Sequence, residues 1–492
     1  MARIVAIPPQ PGIAEHEAVA HIAGAVTALR ESARAAAGAL RGRTIWMVNS
    51  TETGGGVAEM LPAMITLLRD LGMKVEWVVL ESDEPRFFEF TKHIHNLIHD
   101  SGTPELDSAD IALYEAVNRR NAQLLRERVR PGDIVVLHDP QPLAMAPLLR
   151  ELQGVLVVWR CHIGLDERTP RTEAAWRLLR PYAEACDRVV FSVADYVPPF
   201  LAGRATIIQP ALDPLAPKNC DMSLHGVVCV LACSQLSTIG PTVSPPFAAP
   251  VRRIGFDGRA VDAASMGELG LLSRPIVTQV SRWDRLKGFL PLLHAFVRLK
   301  QRPCGNTEQR RRLELVRLVL AGPAVGAVSD DPESADVLEE LVHAYTRLPR
   351  ALQQDIAIVL LPMISREQNA HIVNALQRAS TIVVQNSLRE GFGLTIAEAM
   401  WKRIPVLSSA RACGPRSQIV DGEHGRLVDD PEDVDVVADT LEAMLRAPEL
   451  RARWGRSAQR RAHDDFMIFT QLARWLELCH ELADSAPLRR EA

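Results

Sequence analysis

The chain lacks any pair of cysteines at CxxC spacing, its eight cysteines being scattered along 492 residues. That lack removes the usual zinc and dithiol signatures, and reduced thiols in a cytoplasmic protein are the simplest expectation. Long hydrophobic runs are missing too. The most apolar stretches, such as DIVVLH and GVLVVW, are strand-length, well short of the roughly eighteen residues a spanning helix requires. Nor is there an excess of charge of one sign. With 56 basic and 60 acidic residues the net charge is −4, which gives no cause to expect nucleic acid or a membrane surface as a partner. The Ala-rich N-terminus is broken by Glu15, His16, Glu17 and Arg30, and it does not have the form of a secretory leader.

What the chain does have is alternation. TIWMVNS, KVEWVVLES, DIVVLHD, GVLVVWRCH, DRVVFS and ATIIQP are strand-like runs separated by helical stretches such as VAEMLPAMITLLRDLG. A second series follows: PIVTQVSRW, LVRLVLAGP, DIAIVLLP, TIVVQNS and IPVLSSA. Strands alternating with helices predict parallel, doubly wound sheets, and the length calls for two domains. The expected organisation is an Ala-rich extension over 1–40, a Rossmann-like domain over 41–213, a linker or insertion over 214–273, a second Rossmann-like domain over 274–465 and a closing amphipathic helix over 466–492. The join contains Cys220, His225, Cys229 and Cys233, but their spacing matches no common zinc pattern. Asp-rich turns at 329–333 and 429–433 read as helix N-caps rather than as metal sites.

In such sheets ligands bind beyond the carboxyl ends of the strands, and polar residues collect there. The first strand of the alternation leads through Glu52 to Gly54, Gly55 and Gly56. Two others end at His138-Asp139 and at Arg160-Cys161-His162, and a fourth opens into Ser281-Arg282-Trp283-Asp284-Arg285-Leu286-Lys287-Gly288. A basic pair after a strand, Arg282 with Lys287, is well placed to neutralise a diphosphate. Each feature also has a plain counterpart: a tight glycine turn, histidines satisfied by backbone, ordinary surface cations.

The stretch LREGFGLTIAEAMWK, 388–402, is the most informative. It reads as a strand end, a glycine loop and a helix whose exposed N–H groups at 391–394 point at the helix start, where the dipole favours hydroxyls or phosphate oxygens. Glu390 stands at the mouth of the strand and Glu398 about a turn inside the helix. Both are placed to accept hydrogen bonds from a polyol, although a capped helix with a solvated glutamate would look the same.

Together these residues resemble the retaining glycosyltransferases of glycosyltransferase family 4. The shared signature is Glu-x7-Glu, here Glu390 and Glu398, with Arg282 and Lys287 from the first loop of the C-terminal domain. Within that family NSTETGGGVAEML, LHDPQP, WRCHIGLD, PIVTQVSRWDRLKG, NALQRAS and SLREGFGLTIAEAMWK are similar to the glycosyltransferring trehalose synthases. The resemblance runs from about Thr44 to the final helix, interrupted by 219–270. It implies an α/β chain of the GT-B fold, with two Rossmann-like doubly wound parallel-sheet domains facing across a cleft and the last helix crossing back to the first domain. The implied reaction moves glucose from a nucleoside diphosphate glucose to free glucose, forming trehalose with the α configuration retained, without a metal or other cofactor. Nucleotide sugar, glucose and trehalose are the implied partners, and a homodimer stays open.

The resemblance also implies roles. Arg282 and Lys287 would hold the diphosphate. Glu390 and the N–H groups of Gly391, Phe392, Gly393 and Leu394 would hold the donor sugar, with Gly54 and Gly55 also on the donor and Glu398 on the ribose. His138 would sit beside the reacting sugar, with Glu52, Asp139 and His162 nearer the acceptor. One departure is visible: the family's usual Gly-Gly pair is replaced by Ala-Cys-Gly-Pro at 412–415.

Other functions fit part of the pattern. A nicotinamide dehydrogenase would explain strand, glycines and helix, but Glu59 stands where a third glycine is expected, and Glu390, Glu398, Arg282 and Lys287 would be idle. Trehalose phosphorylase keeps the fold and changes the donor to glucose 1-phosphate. Another family 4 transferase with a different acceptor, or a sugar-nucleotide binder without turnover, completes the set.

Overall fold

Two sheets account for the alternation in the computed structural model, which describes residues 3–52, 56–237, 247–303, 307–324 and 333–485. The first sheet contains β1 (Arg3–Ile4), β2 (Thr44–Asn49), β3 (Lys74–Val79), β4 (Ile134–His138), β5 (Leu156–Cys161), β6 (Arg188–Phe191) and β7 (Ala205–Ile207), in the order β1-β3-β2-β4-β5-β6-β7. All neighbours are parallel except β1, which pairs antiparallel with β3.

The second sheet contains β8 (Arg252–Ile254), β9 (Ala260–Asp262), β10 (Ile276–Val280), β11 (Arg317–Pro323), β12 (Ile356–Leu361), β13 (Ile382–Gln385), β14 (Val406–Ser409) and β15 (Gly425–Val428). Their order is β15-β14-β13-β10-β11-β12-β8-β9. The strands from β10 to β15 pair in parallel, while β8 is antiparallel to both β12 and β9.

Burial on both faces explains the unbroken apolar runs, because helices cover each side of a parallel sheet. Along β11, Leu318 and Leu320 pack with Leu292, Phe296 and Leu341. Val319 and Ala321, pointing the other way, pack with Leu231, Ile372 and Leu376. The chain forms two compact units, residues 1–213 with 466–492 and residues 214–465. Among the described residues no helix is long and apolar enough to cross a membrane.

The structure gives form to the two least regular segments. Of an added helix or a loose arm, residues 1–40 form the helix. They add β1 to the first sheet and the helix Ala23–Leu40, which packs along the final helix Ile468–Ser485. Arg43 secures that arrangement, donating from Nη1 to Gly132 O at 2.7 Å and from Nη2 to Ala483 O at 3.1 Å. Of a linker or an insertion, the segment 214–273 is a folded insertion. It supplies β8 and β9, and the helix Leu224–Cys233 that packs on Arg366–Arg378 through Val227 and Leu231. Within it Cys229 Sγ lies 3.4 Å from His225 Nε2, and among the described residues no group of three or more His, Cys, Asp or Glu side chains could hold a metal ion.

Candidate functional site

The loop that follows β10 is built to present one lysine. Trp283 is fully buried and donates from its indole to Pro323 O at 2.7 Å, which anchors the loop. Asp284 accepts from the Leu286 N–H at 2.8 Å and so caps the short turn Arg285–Lys287. Arg285 turns outward to Glu340, with contacts of 2.6 and 2.8 Å. Lys287 turns the other way, and its Nζ is 2.7 Å from Glu390 Oε2, with both side chains largely buried.

Glu390 lies in the loop after β13, so the pair joins two neighbouring parallel strands at their carboxyl ends. Backbone and amide contacts hold the two loops together. Gln279 donates to Lys287 O at 2.8 Å and accepts from the Asn386 N–H at 3.0 Å, while the Leu388 N–H donates to Leu286 O at 2.8 Å. Glu390 Oε2 also accepts from Gln385 Nε2 at 3.1 Å and Ser387 Oγ at 3.0 Å. Burial pushes the Glu390 carboxyl up. The Lys287 charge and hydrogen bond, the Ser387 hydroxyl and the Arg282 charge outweigh that and hold it below its ordinary value. Arg282 is therefore electrically part of the same group.

Behind Glu390 the chain turns into the helix Leu394–Trp401 through Gly393, whose φ of 87° lies in the left-handed region that glycine tolerates best. Phe392 is buried, and its carbonyl accepts from Gln418 Nε2. The residue that closes this loop from below is Gly414: a Cβ there would come within 2.6 Å of Phe392 Cα. Of the replacement Ala-Cys-Gly-Pro, the glycine is thus the member that close packing requires.

Glu398 is buried within the helix, where its Oε2 accepts from Gln377 Nε2 at 3.1 Å and its Oε1 lies 3.9 Å from Lys218 Nζ. Lys402, at the end of the same helix, is buried too. Its Nζ donates to Glu398 O at 3.3 Å and to Asn219 Oδ1 at 3.4 Å. Burial, with the Arg378 and Lys218 charges, brings its ammonium down to about 7 despite the Glu398 charge.

In the other unit the carboxyl ends of β4 and β5 bring three expected residues together. His138 is buried, and its Nδ1 is 3.2 Å from His162 Nε2, with the rings stacked at 14° and 5.5 Å between centroids. Asp139 Oδ1 accepts from the His162 N–H at 2.8 Å, and the Asp139 N–H donates to Arg160 O at 2.8 Å. Burial raises the Asp139 carboxyl to about 6. Burial and then the Arg160 charge lower His138 to about 3, and both causes push His162 well below its ordinary value.

Glu52 does not join them. It pairs with Arg3 Nη2 at 3.0 Å on the edge of the sheet, where Arg3 also meets Glu81 at 3.1 Å. Gly54 and Gly55 lie outside the described residues. Three further buried residues, to which the motifs assign no role, hold the site: Gln279, Gln385 and Ser387. Their signal was available: glutamines near the ends of VTQV and VVQNS interrupt strands that are otherwise apolar, and buried amides require partners.

Comparison with known proteins gives the family and the fold. Residues 47–198 match the family "Trehalose synthase, N-terminal domain" and residues 266–461 match "Glycosyl transferases group 1". A trehalose synthase of Pyrococcus horikoshii is 32% identical over 90% of this chain and 91% of its own. One from Rubrobacter xylanophilus is 34% identical over 88% of each. A trehalose phosphorylase of Pleurotus pulmonarius is more distant, 26% identical, with the match covering 56% of its length. Among solved structures, the UDP-forming α,α-trehalose-phosphate synthase of Burkholderia xenovorans in complex with glucose-6-phosphate superposes with a TM-score of 0.63. It is 16% identical, with 89% of this chain and 100% of that one covered, a likeness of fold.

Proposed function

This chain belongs to the trehalose synthase family within the group 1 glycosyltransferases, and we propose that it transfers glucose from a nucleoside diphosphate glucose to free glucose, giving trehalose with the α configuration retained. The observation that carries the proposal is the Lys287–Glu390 contact of 2.7 Å beneath the start of the helix Leu394–Trp401. A cation, a carboxylate and a helix N-terminus at the carboxyl ends of two central strands suit a departing diphosphate and the hydroxyls of a sugar.

In this mechanism the acceptor hydroxyl approaches C1 of the donor glucose from the side of the leaving group. The bond from C1 to the diphosphate oxygen breaks as the bond to the acceptor oxygen forms, and the departing phosphate oxygen takes the acceptor's proton. Lys287 and Arg282 stabilise the charge that gathers on the diphosphate, a preorganised electrostatic contribution that is greatest in the transition state. Glu390, fixed by Gln385 and Ser387, accepts from the donor sugar, and Glu398 accepts from the ribose. His138 contacts the transferred sugar, with Asp139 and His162 on the acceptor side.

Reverse turnover separates this from phosphorolysis. Given trehalose and a nucleoside diphosphate, the protein is expected to release nucleoside diphosphate glucose and glucose. Release of glucose 1-phosphate from trehalose and inorganic phosphate, with no turnover on any nucleoside diphosphate, would overturn the assignment.

A further inference from the structure

Arg160 is a cation in an unusual setting. Its side chain is 1% exposed. Among the described residues its guanidinium makes one side-chain hydrogen bond, from Nη2 to Ser192 Oγ at 3.2 Å, while Nη1 is buried with no hydrogen-bond partner. No carboxylate of a described residue lies within ion-pair distance of it. Burying a charge on these terms is costly, and the Asp139 charge offsets it only in part. Its neighbours offer a reason. Arg160 is in register with His138 across β4 and β5, and directly opposed residues place their side chains on one face of a sheet. His162 follows two residues later, and its ring nitrogen meets His138 at 3.2 Å.

We propose that Arg160 is a positioning residue for the sugar-transfer site, whose buried charge, in register with His138, adds to burial in keeping the His138–His162 pair in the neutral imidazole form. A neutral pair shares one proton between Nδ1 of His138 and Nε2 of His162. His138 Nε2, which is buried with no hydrogen-bond partner among the described residues, is then left to a sugar hydroxyl. A hydroxyl both donates and accepts, so either tautomer can meet it. Glycosyl transfer develops positive charge on the sugar ring, and an imidazolium beside that charge would oppose the reaction. The titratable groups that bear on the pair are Arg160, Asp139 and the Cys161 thiol, which burial keeps protonated. Asp139 would favour the imidazolium, and Arg160 opposes it. The direction of both histidine shifts agrees, with burial first and Arg160 second. This inference rests on the proposed contact of His138 with the transferred sugar.

The test is nitrogen NMR of histidine-labelled full-length protein, with the two imidazoles assigned from His138→Gln and His162→Gln variants, alongside pH profiles of kcat. In the wild type neither imidazole titrates between about pH 5 and 8. In Arg160→Met each imidazole is expected to take its proton at a higher pH than in the wild type, still below its ordinary value because burial remains, and the acid limb of kcat to move up by about one pH unit. Arg160→Lys, which keeps the charge, restores the wild-type titration. Titration of either imidazole in that window in the wild type overturns the proposal, as do unshifted imidazoles with an unmoved profile in Arg160→Met. Should Arg160→Met not fold, a shift in Arg160→Lys like that expected of the Met variant also overturns it. Normal kcat in His138→Gln would instead remove the site assignment while leaving the titration result standing.

Discussion

Lys287 and Glu390 are nearly buried, in contact, and supplied by two different loops, so removing either strands the other. Glu390→Ala leaves an ammonium without its carboxylate, and Lys287→Ala removes the charge proposed to meet the diphosphate. Each is expected to lower kcat by roughly 10²–10³-fold and to cost about 2 kcal/mol in stability, read from turnover and from urea midpoints of the folded variants. Near-normal turnover in either would remove that residue from the mechanism. The pH dependence follows from the sign of the shift. Because the Glu390 carboxyl is held below its ordinary value in the folded chain, its contribution is fully present above the ordinary carboxylate range. It is lost as pH falls through the lowered value. Glu390→Gln should remove that acid-side loss in a stability profile, and an unchanged profile would contradict it. At this scale the sequence exposed the chemistry unevenly. Glu390 and Lys287 stand in loops whose motifs can be read. Gln279 and Gln385 stand out as amides inside apolar strands, but which loops they and Ser387 hold becomes visible only once β10 and β13 are paired. The family resemblance grouped Glu52 with the histidines, and in this structure it pairs with Arg3 from an edge strand the sequence did not announce.

The helix Leu394–Trp401 gains its position from below and from its far end. From below, Gly414 touches the backbone of Phe392. Gly414→Val must displace that loop, and the expected outcome is a several-fold rise in donor KM with a smaller change in acceptor KM. An unaltered donor KM would show that the loop moves without consequence. At the far end Lys402 is brought down to about 7 from an ordinary 10.5. Between those values the unfolded chain binds more protons than the folded one, so stability rises as pH goes from 7 to 10.5. Lys402→Met should abolish that rise, measured as thermal midpoints at pH 7 and pH 9. A rise that survives would place its cause elsewhere. Elements differed in legibility for a related reason. Strands buried on both faces announce themselves as apolar runs. The edge strands β1, β9 and β15, and β8 beside β9, are two to four residues long, and three of the four contain arginine. Their pairing is decided by tertiary contact, which no local pattern records.

The whole chain builds two parallel-sheet units from one alternating pattern, each with its polar residues at the carboxyl ends of its strands. The first unit is completed only by the last helix, which returns to pack on Ala23–Leu40. Alternation made the two-sheet plan readable, and the amphipathic tail made a returning helix expected. The irregular segment between the sheets could be read only as a linker or an insertion, because proline, glycine and scattered cysteine look the same in a linker as in a folded hairpin. What the molecule does with both units is best tested by its product. Purified protein would be mixed with glucose and, separately, UDP-, ADP- or GDP-glucose, and the products followed by carbon NMR. The expected result is one symmetric α,α-linked disaccharide from at least one donor, absent from Glu390→Ala. A disaccharide of another linkage, or none from any donor while the protein still binds a nucleotide sugar, would contradict trehalose synthesis.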